Sequence, residues 1–96
     1  MRRAANVDAN QAEIVEKLRK CGVSVQHLHS VGSGCPDLLV GWRGVNILLE
    51  IKSDKTPTKK CQTEWHLKWA GQSAVVRSFQ EAMDVICAVG KVQGVA

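Results

Sequence analysis

The sequence predicts an α/β domain with the element order α-β-β-β-α-β-α, a sheet with helices packed against it. Three observations carry this. The runs Leu38-Leu39-Val40 and Ile47-Leu48-Leu49 are apolar without alternation, as expected of strands covered on both faces. Three other segments repeat apolar residues at helical spacing between start and stop residues. A chain of 96 residues, 45% of them apolar, suffices for one small domain. We assign a single domain over residues 1–96, with its core at about residues 8–90.

Each element has local reasons. The first helix is expected to start at Asp8, which forms a capping-box pattern with Gln11. Ile14, Leu18 and Cys21 then mark its apolar face, and Gly22 ends it. Residues 1–7 and 91–96 read as frayed ends. Val23 to Val31 reads as a β-branched strand, broken by Gly32-Ser33-Gly34. Asp37 to Gly41 and Val45 to Ile51 form the next two strands, joined by Trp42-Arg43-Gly44 as a short hairpin connection. Thr56-Pro57 opens the second helix, Thr as N-cap and Pro as first helical residue. Cys61, Trp65 and Trp69 share one of its faces, and Gly71 stops it. Ser73 to Arg77 is a fourth strand. Ser78 and Glu81 cap a last helix with Met83, Ile86 and Cys87 inward, closed at Gly90.

Composition narrows the class without naming a function. The formal charge of +4 is compatible with ordinary surface charge or with attraction to a polyanion. Cys21, Cys35, Cys61 and Cys87 include no C-x-x-C pair and match no usual zinc spacing. Met1-Arg2-Arg3 leads into a polar stretch rather than a signal-peptide core, so free thiols and a cytoplasmic location are expected. No apolar run approaches the ~20 residues of a membrane span.

The chemistry is concentrated in Gly34-Cys35-Pro36-Asp37 and Glu50-Ile51-Lys52. Side chains alternate along a strand, so Glu50 and Lys52 share one face while Ile51 anchors on the other. Asp37 lies five residues before Trp42 and Glu50 six after Gly44, so a hairpin turning there sets the two carboxylates roughly opposite each other. Mg²⁺ is held by one or two carboxylates plus waters and substrate phosphate, and the Ile51 carbonyl is a candidate third oxygen. A divalent cation neutralises phosphoryl charge and acidifies water, and Lys52 is placed to orient or deprotonate that water. The combination suits phosphodiester hydrolysis. Its bland alternative is a surface carboxylate pair beside a solvated lysine.

Gly34-Cys35-Pro36-Asp37-Leu38-Leu39-Val40, then Leu49-Glu50-Ile51-Lys52, then Gln62 and Trp65, resemble the VRR-NUC family. That family is the virus-type replication-repair branch of the PD-(D/E)xK nucleases, and the resemblance spans roughly residues 8–90. It implies a restriction-endonuclease-like core with a mixed central sheet flanked by helices. It implies metal-binding roles for Asp37 and Glu50, a catalytic role for Lys52, and an active-site-facing Gln62. It matches Glu13 to an acidic residue near the metal, and it gives Cys35 no catalytic role.

For several residues a plainer role stays open. Glu13 could instead pair with Lys17 on the surface. Gln62 is either a site residue or a surface glutamine. Lys55, Lys59 and Lys60 are either phosphate contacts or a solvated loop. His27 and His29 read as strand residues rather than ligands. Trp42 is a candidate for base stacking or subunit contact, whereas Trp65 and Trp69 read as core or dimer contacts.

Stand-alone members of this size are typical of phages and bacteria and are associated with junction resolution. The expected activity is therefore a Mg²⁺- or Mn²⁺-dependent DNA endonuclease, a homodimeric four-way-junction resolvase. A twofold dimer would supply the two symmetric cuts that one small chain cannot. The alternatives are a monomeric flap or single-strand nuclease and a non-catalytic DNA-binding module.

Overall fold

The structure, a computed structural model, describes residues 2–53 and 57–92, and the side chains of residues 9–53 and 57–90. Its elements are α1 (Arg2–Lys20), β1 (Ser24–His27), β2 (Leu38–Trp42), β3 (Val45–Ile51), α2 (Lys60–Lys68), β4 (Ser73–Val76) and α3 (Phe79–Val92). The order is the expected one. The four strands form one mixed sheet in the order β1-β2-β3-β4. The first three run antiparallel, and β4 returns parallel to β3 after α2. A parallel return needs a crossover connection, and α2 lies within it.

The hairpin between β2 and β3 is tight. Trp42 pairs with Val45, and Arg43 and Gly44 take φ of 54° and 82°. Two successive left-handed residues match the right-handed twist of the flanking strands, which fixes the register.

That register divides the sheet into two unlike faces. Leu38, Val40, Ile47, Leu49, Ile51 and Val76 point to one side and are at most 5% exposed. Ile14, Val15 and Leu18 of α1 and Ala82 and Ile86 of α3 cover them. Burying a side chain of this size contributes about 1.5–3 kcal/mol, so this layer carries the fold. The opposite face shows Leu39 and Leu48, only half-buried, under α2. No residue of α2 is buried. Helices therefore flank both faces as expected, but unevenly, because α2 is short and lies lightly on its side.

Several boundaries also differ. The first helix begins at Arg2, so residues 2–7 are helical and Asp8 is an interior helical residue rather than its cap. The first strand ends at His27. Beyond it Leu28 donates to the Asp37 carbonyl and Val31 to the Leu28 carbonyl, which turns the chain. His29 therefore lies outside the strand. The second helix starts at Lys60, where Gln62 Oε1 accepts from the Lys59 N–H. Thr56, its expected cap, lies outside the described residues. Cys61 is exposed and Trp69 follows the helix end, so the expected inward face of α2 reduces to half-buried Trp65.

At the start of α3, Ser78 Oγ accepts from the Glu81 N–H as expected. The Glu81 carboxylate reaches one residue further back, to the Arg77 N–H. The helix continues through Gly90 to Val92.

Candidate active site

Asp37, Glu50 and Lys52 meet at the end of β2 and β3 on the α2 side. The register pairs Leu38 with Leu49, and one step further sets Asp37 across from Glu50. Backbone groups of Leu38 face β3, so the Asp37–Glu50 rung lies between hydrogen-bonded pairs, where side chains approach most closely. One step further again, Pro36 lies across from Ile51. A proline has no N–H to give, so Pro36 offers the Ile51 carbonyl no ladder donor. The Ile51 N–H binds Asp37 Oδ2 instead, at 2.8 Å. The carbonyl and N–H of one strand residue point the same way, so the Ile51 carbonyl faces the Asp37 side.

Burial governs the electrostatics. Glu50 is 2% exposed and Lys52 7%. Glu50 Oε2 accepts from Gln62 Nε2 at 2.9 Å and lies 3.7 Å from Lys52 Nζ. Desolvation raises the Glu50 pKa most, followed by the charge of Asp37 and a hydrogen bond shared with its carboxyl. Lys52 opposes this, and the outcome is about 7 against an ordinary 4.5. When both carboxyls are ionised they can only accept hydrogen bonds, and Glu50 Oε1 is then buried without a donor. The pair therefore calls for a proton or a cation between its oxygens. A hard divalent ion fits such a donor set: two carboxylates, a nearby backbone carbonyl, and room for water and phosphate. Among the described residues no three His, Cys, Asp or Glu side chains group as a metal cage, so a protein-only cage is not what the site offers.

A solved structure described as a VRR_NUC domain has a similar fold. It aligns with a TM-score of 0.68 and 29% identity, covering 83% of this chain and 92% of that one. The chain is thus similar in fold and sequence to a VRR-NUC domain over most of its length. No family model matches it, and no curated protein does. A VRR-NUC domain is a nuclease-type domain, so the four-stranded mixed sheet flanked by helices belongs to a nuclease fold.

The other candidate residues fall in different places. Gln62 is brought to the site by the bond to Glu50, and its own oxygen caps α2. Glu13 is not brought there; its carboxylate pairs with Lys17 at 3.0 Å and is 61% exposed. Successive side chains of a helix are turned about 100° apart, so Glu13 faces solvent although Ile14 beside it is buried. Lys59 and Lys60 are exposed at the start of α2. Lys55 lies outside the described residues. His27 is exposed against Gln11. The Trp42 ring is half-buried against the core, with the Arg43 guanidinium 4.5 Å over it. The Cys35 thiol pKa is raised by burial and then by Glu50 and Asp37, which keeps it protonated. The described cysteines are all free thiols.

Two contacts escaped the sequence reading. Asn10 Nδ2 donates to the Lys52 carbonyl at 3.3 Å, and the Arg77 guanidinium donates to the Ser53 carbonyl. With Lys52 N–H bound to the Val76 carbonyl, they tether the chain just beyond the lysine from α1 and β4. Asn10 lies one helical turn before Ile14, and that spacing was the available signal. No helix is long and apolar enough to cross a membrane among the described residues.

Proposed function

We propose that this VRR-NUC-like domain is a metal-dependent DNA endonuclease that hydrolyses phosphodiester bonds in branched DNA, acting as a homodimeric four-way-junction resolvase. The observation that carries the reading is the rung of half-buried Asp37 and buried Glu50 with Lys52 beside it, where Glu50 Oε1 has no hydrogen-bond donor. Asp37, Glu50 and the Ile51 carbonyl would hold Mg²⁺ or Mn²⁺. When bound, such an ion supplies charge neutralisation at the phosphate and a lower pKa for water.

The chain's own residues supply positioning. Gln62 holds Glu50 Oε2, and the Ile51 N–H holds Asp37 Oδ2, so neither carboxylate rotates freely. Lys52 Nζ is within reach of the same pocket and orients the attacking water or takes its proton. That water's oxygen bonds to phosphorus as the P–O bond to the leaving strand breaks, and the departing oxygen takes up a proton. Lys59 and Lys60, exposed at the start of α2, would contact the DNA backbone rather than base edges. One chain carries one such set, so two symmetric cuts require two chains.

The test is cleavage of labelled four-way junction, flap, single-strand and duplex DNA with Mg²⁺, Mn²⁺ or EDTA, together with sedimentation of the protein. Paired junction cuts that vanish in EDTA, from a dimer, are expected. Cutting confined to flaps or single strands by a monomer would replace the resolvase with a structure-selective nuclease. Binding of all four without cutting would overturn the catalytic reading.

A further inference from the structure

The carboxylate rung opens onto an apolar groove that none of the site residues accounts for. The next rung on the same face is Leu39–Leu48, two residues along each strand and so about 7 Å away. These two leucines form the floor. Leu28 and Val31 make one wall, and Trp65 and Trp69 the other. The two indoles are stacked, with centroids 4.7 Å apart and planes inclined by 16°. Trp69 remains 46% exposed and Val31 62%, so the groove is open to solvent. Its volume of about 960 Å³ is at the upper end for small-ligand pockets.

Two links make the groove continuous with the carboxylates. Cys35 lines it and stands two residues before Asp37 in the chain. Gln62, which holds Glu50, is one helical turn from Trp65 on α2. Any phosphodiester seated at the carboxylates therefore has one neighbouring nucleotide at the mouth of the groove. The same helix exposes Lys60 and Lys68, so its charge suits a polyanion. The walls are flat aromatic and aliphatic surfaces, and amide groups of Asn46 and Gln72 lie at the far end.

We infer that this groove receives an unpaired nucleobase next to the cleaved phosphate, stacked against the Trp65–Trp69 wall. The inference rests on the nuclease reading and deepens it. A base can enter only when it is not stacked in a continuous duplex, so the groove favours branch points and single-stranded flanks over intact duplex. Trp69 is the residue that makes this selection, and Trp42, whose ring already carries Arg43, is not.

The experiment uses the intact protein and a flapped junction carrying an abasic residue at either nucleotide flanking the cut. Binding is read in EDTA and cleavage in Mg²⁺, for wild type, Trp69→Ala and Trp69→Phe. One abasic position is expected to weaken binding about 5- to 150-fold, the range for one base–aromatic stack. Trp69→Ala should weaken binding of intact DNA similarly and add nothing on the abasic DNA. Trp69→Phe should restore most of the loss, which separates stacking from a folding defect. Normal cleavage with no effect of either abasic position or of Trp69→Ala overturns the groove and leaves the nuclease standing. Base- and Trp69-dependent binding with no cleavage of any DNA overturns the nuclease and leaves the groove. Loss of both dependences and of cleavage overturns both.

Discussion

Replacing Glu50 with glutamine should make the metal-free protein more stable at neutral and alkaline pH. Glu50 is 2% exposed beside Asp37, and its pKa stands at about 7 in the folded chain against an ordinary 4.5. A carboxyl raised on folding binds more protons in the folded state, so its contribution is full below pH 4.5 and is lost as pH rises through about 7. With each pKa unit worth ~1.36 kcal/mol, the loss is about 3 kcal/mol. Glutamine mimics the protonated acid, since its oxygen still accepts from Gln62 and its amide can donate to Asp37. Relative to wild type, Glu50→Gln should gain about 1 kcal/mol at pH 5 and about 3 kcal/mol at pH 8. For a domain of this size, 3 kcal/mol is a Tm increase on the order of 10–25 °C. Urea melts of both proteins in EDTA at the two pH values measure this, and comparing the proteins cancels the other titrating groups. Adding Mg²⁺ should then stabilise wild type and leave the variant unmoved. A gain equal at both pH values, or a variant less stable at pH 8, would refute the electrostatic account.

Four further substitutions separate parts of the site. Gly34 and Gly22 both have positive φ, 83° and 88°, but a Cβ at Gly34 would sit 2.7 Å from the Cys61 carbonyl, while Gly22 faces open space. Gly22→Ala should cost about 1–2 kcal/mol, and Gly34→Ala more, with slower cleavage because α2 carries Gln62; equal melting curves would disprove the contact. Asn10→Ala removes one bond to the Lys52 carbonyl, so stability should fall by about 1 kcal/mol and single-turnover cleavage by roughly tenfold, at unchanged DNA affinity. An unaltered rate would confine Asn10 to a structural role. Lys52→Met should lower cleavage by about 10²–10⁴-fold while junction binding in EDTA persists, and a loss smaller than tenfold would remove the lysine from the reaction.

The fold was legible where periodicity and turn chemistry agreed. Val45–Ile51 appears with the limits read from sequence, because its apolar run is bounded by a turn on one side and charge on the other. The near-opposition of Asp37 and Glu50 followed from counting outward from the hairpin, and the two-residue Arg43-Gly44 turn makes it one rung. Local signals failed where several competed. Asp8 carries a cap pattern yet lies inside a longer helix, since a capping motif does not prevent earlier residues from being helical. Val23 to Val31 has strand composition throughout, but Leu28 gives its N–H to Asp37 and the chain turns away. Trp65 and Trp69 looked like core because large aromatics usually are, whereas a short helix with no buried residue leaves them half-open. Glu13 shows the limit of carrying a role across by position, because its i+4 lysine provides a nearer partner.

The division of β3 explains why stability and chemistry depend on one alignment. Ile47, Leu49 and Ile51 point into the layer beneath α1 and α3, while Leu48, Glu50 and Lys52 point to the α2 side. Ile51 does both: its side chain is 5% exposed in the core, and its N–H holds Asp37. A one-residue slip of β2 against β3 would bring Leu38, Val40 and their partners out of the core and set Pro36 or Leu38 where Asp37 stands. Such a slip is opposed by several buried side chains at about 1.5–3 kcal/mol each. The carboxylate rung needs no separate device to keep it aligned, because the hydrophobic register that folds the sheet also holds Asp37 across from Glu50. Pro36 completes the arrangement, since the ladder bond it cannot make is the one that would occupy the Ile51 carbonyl.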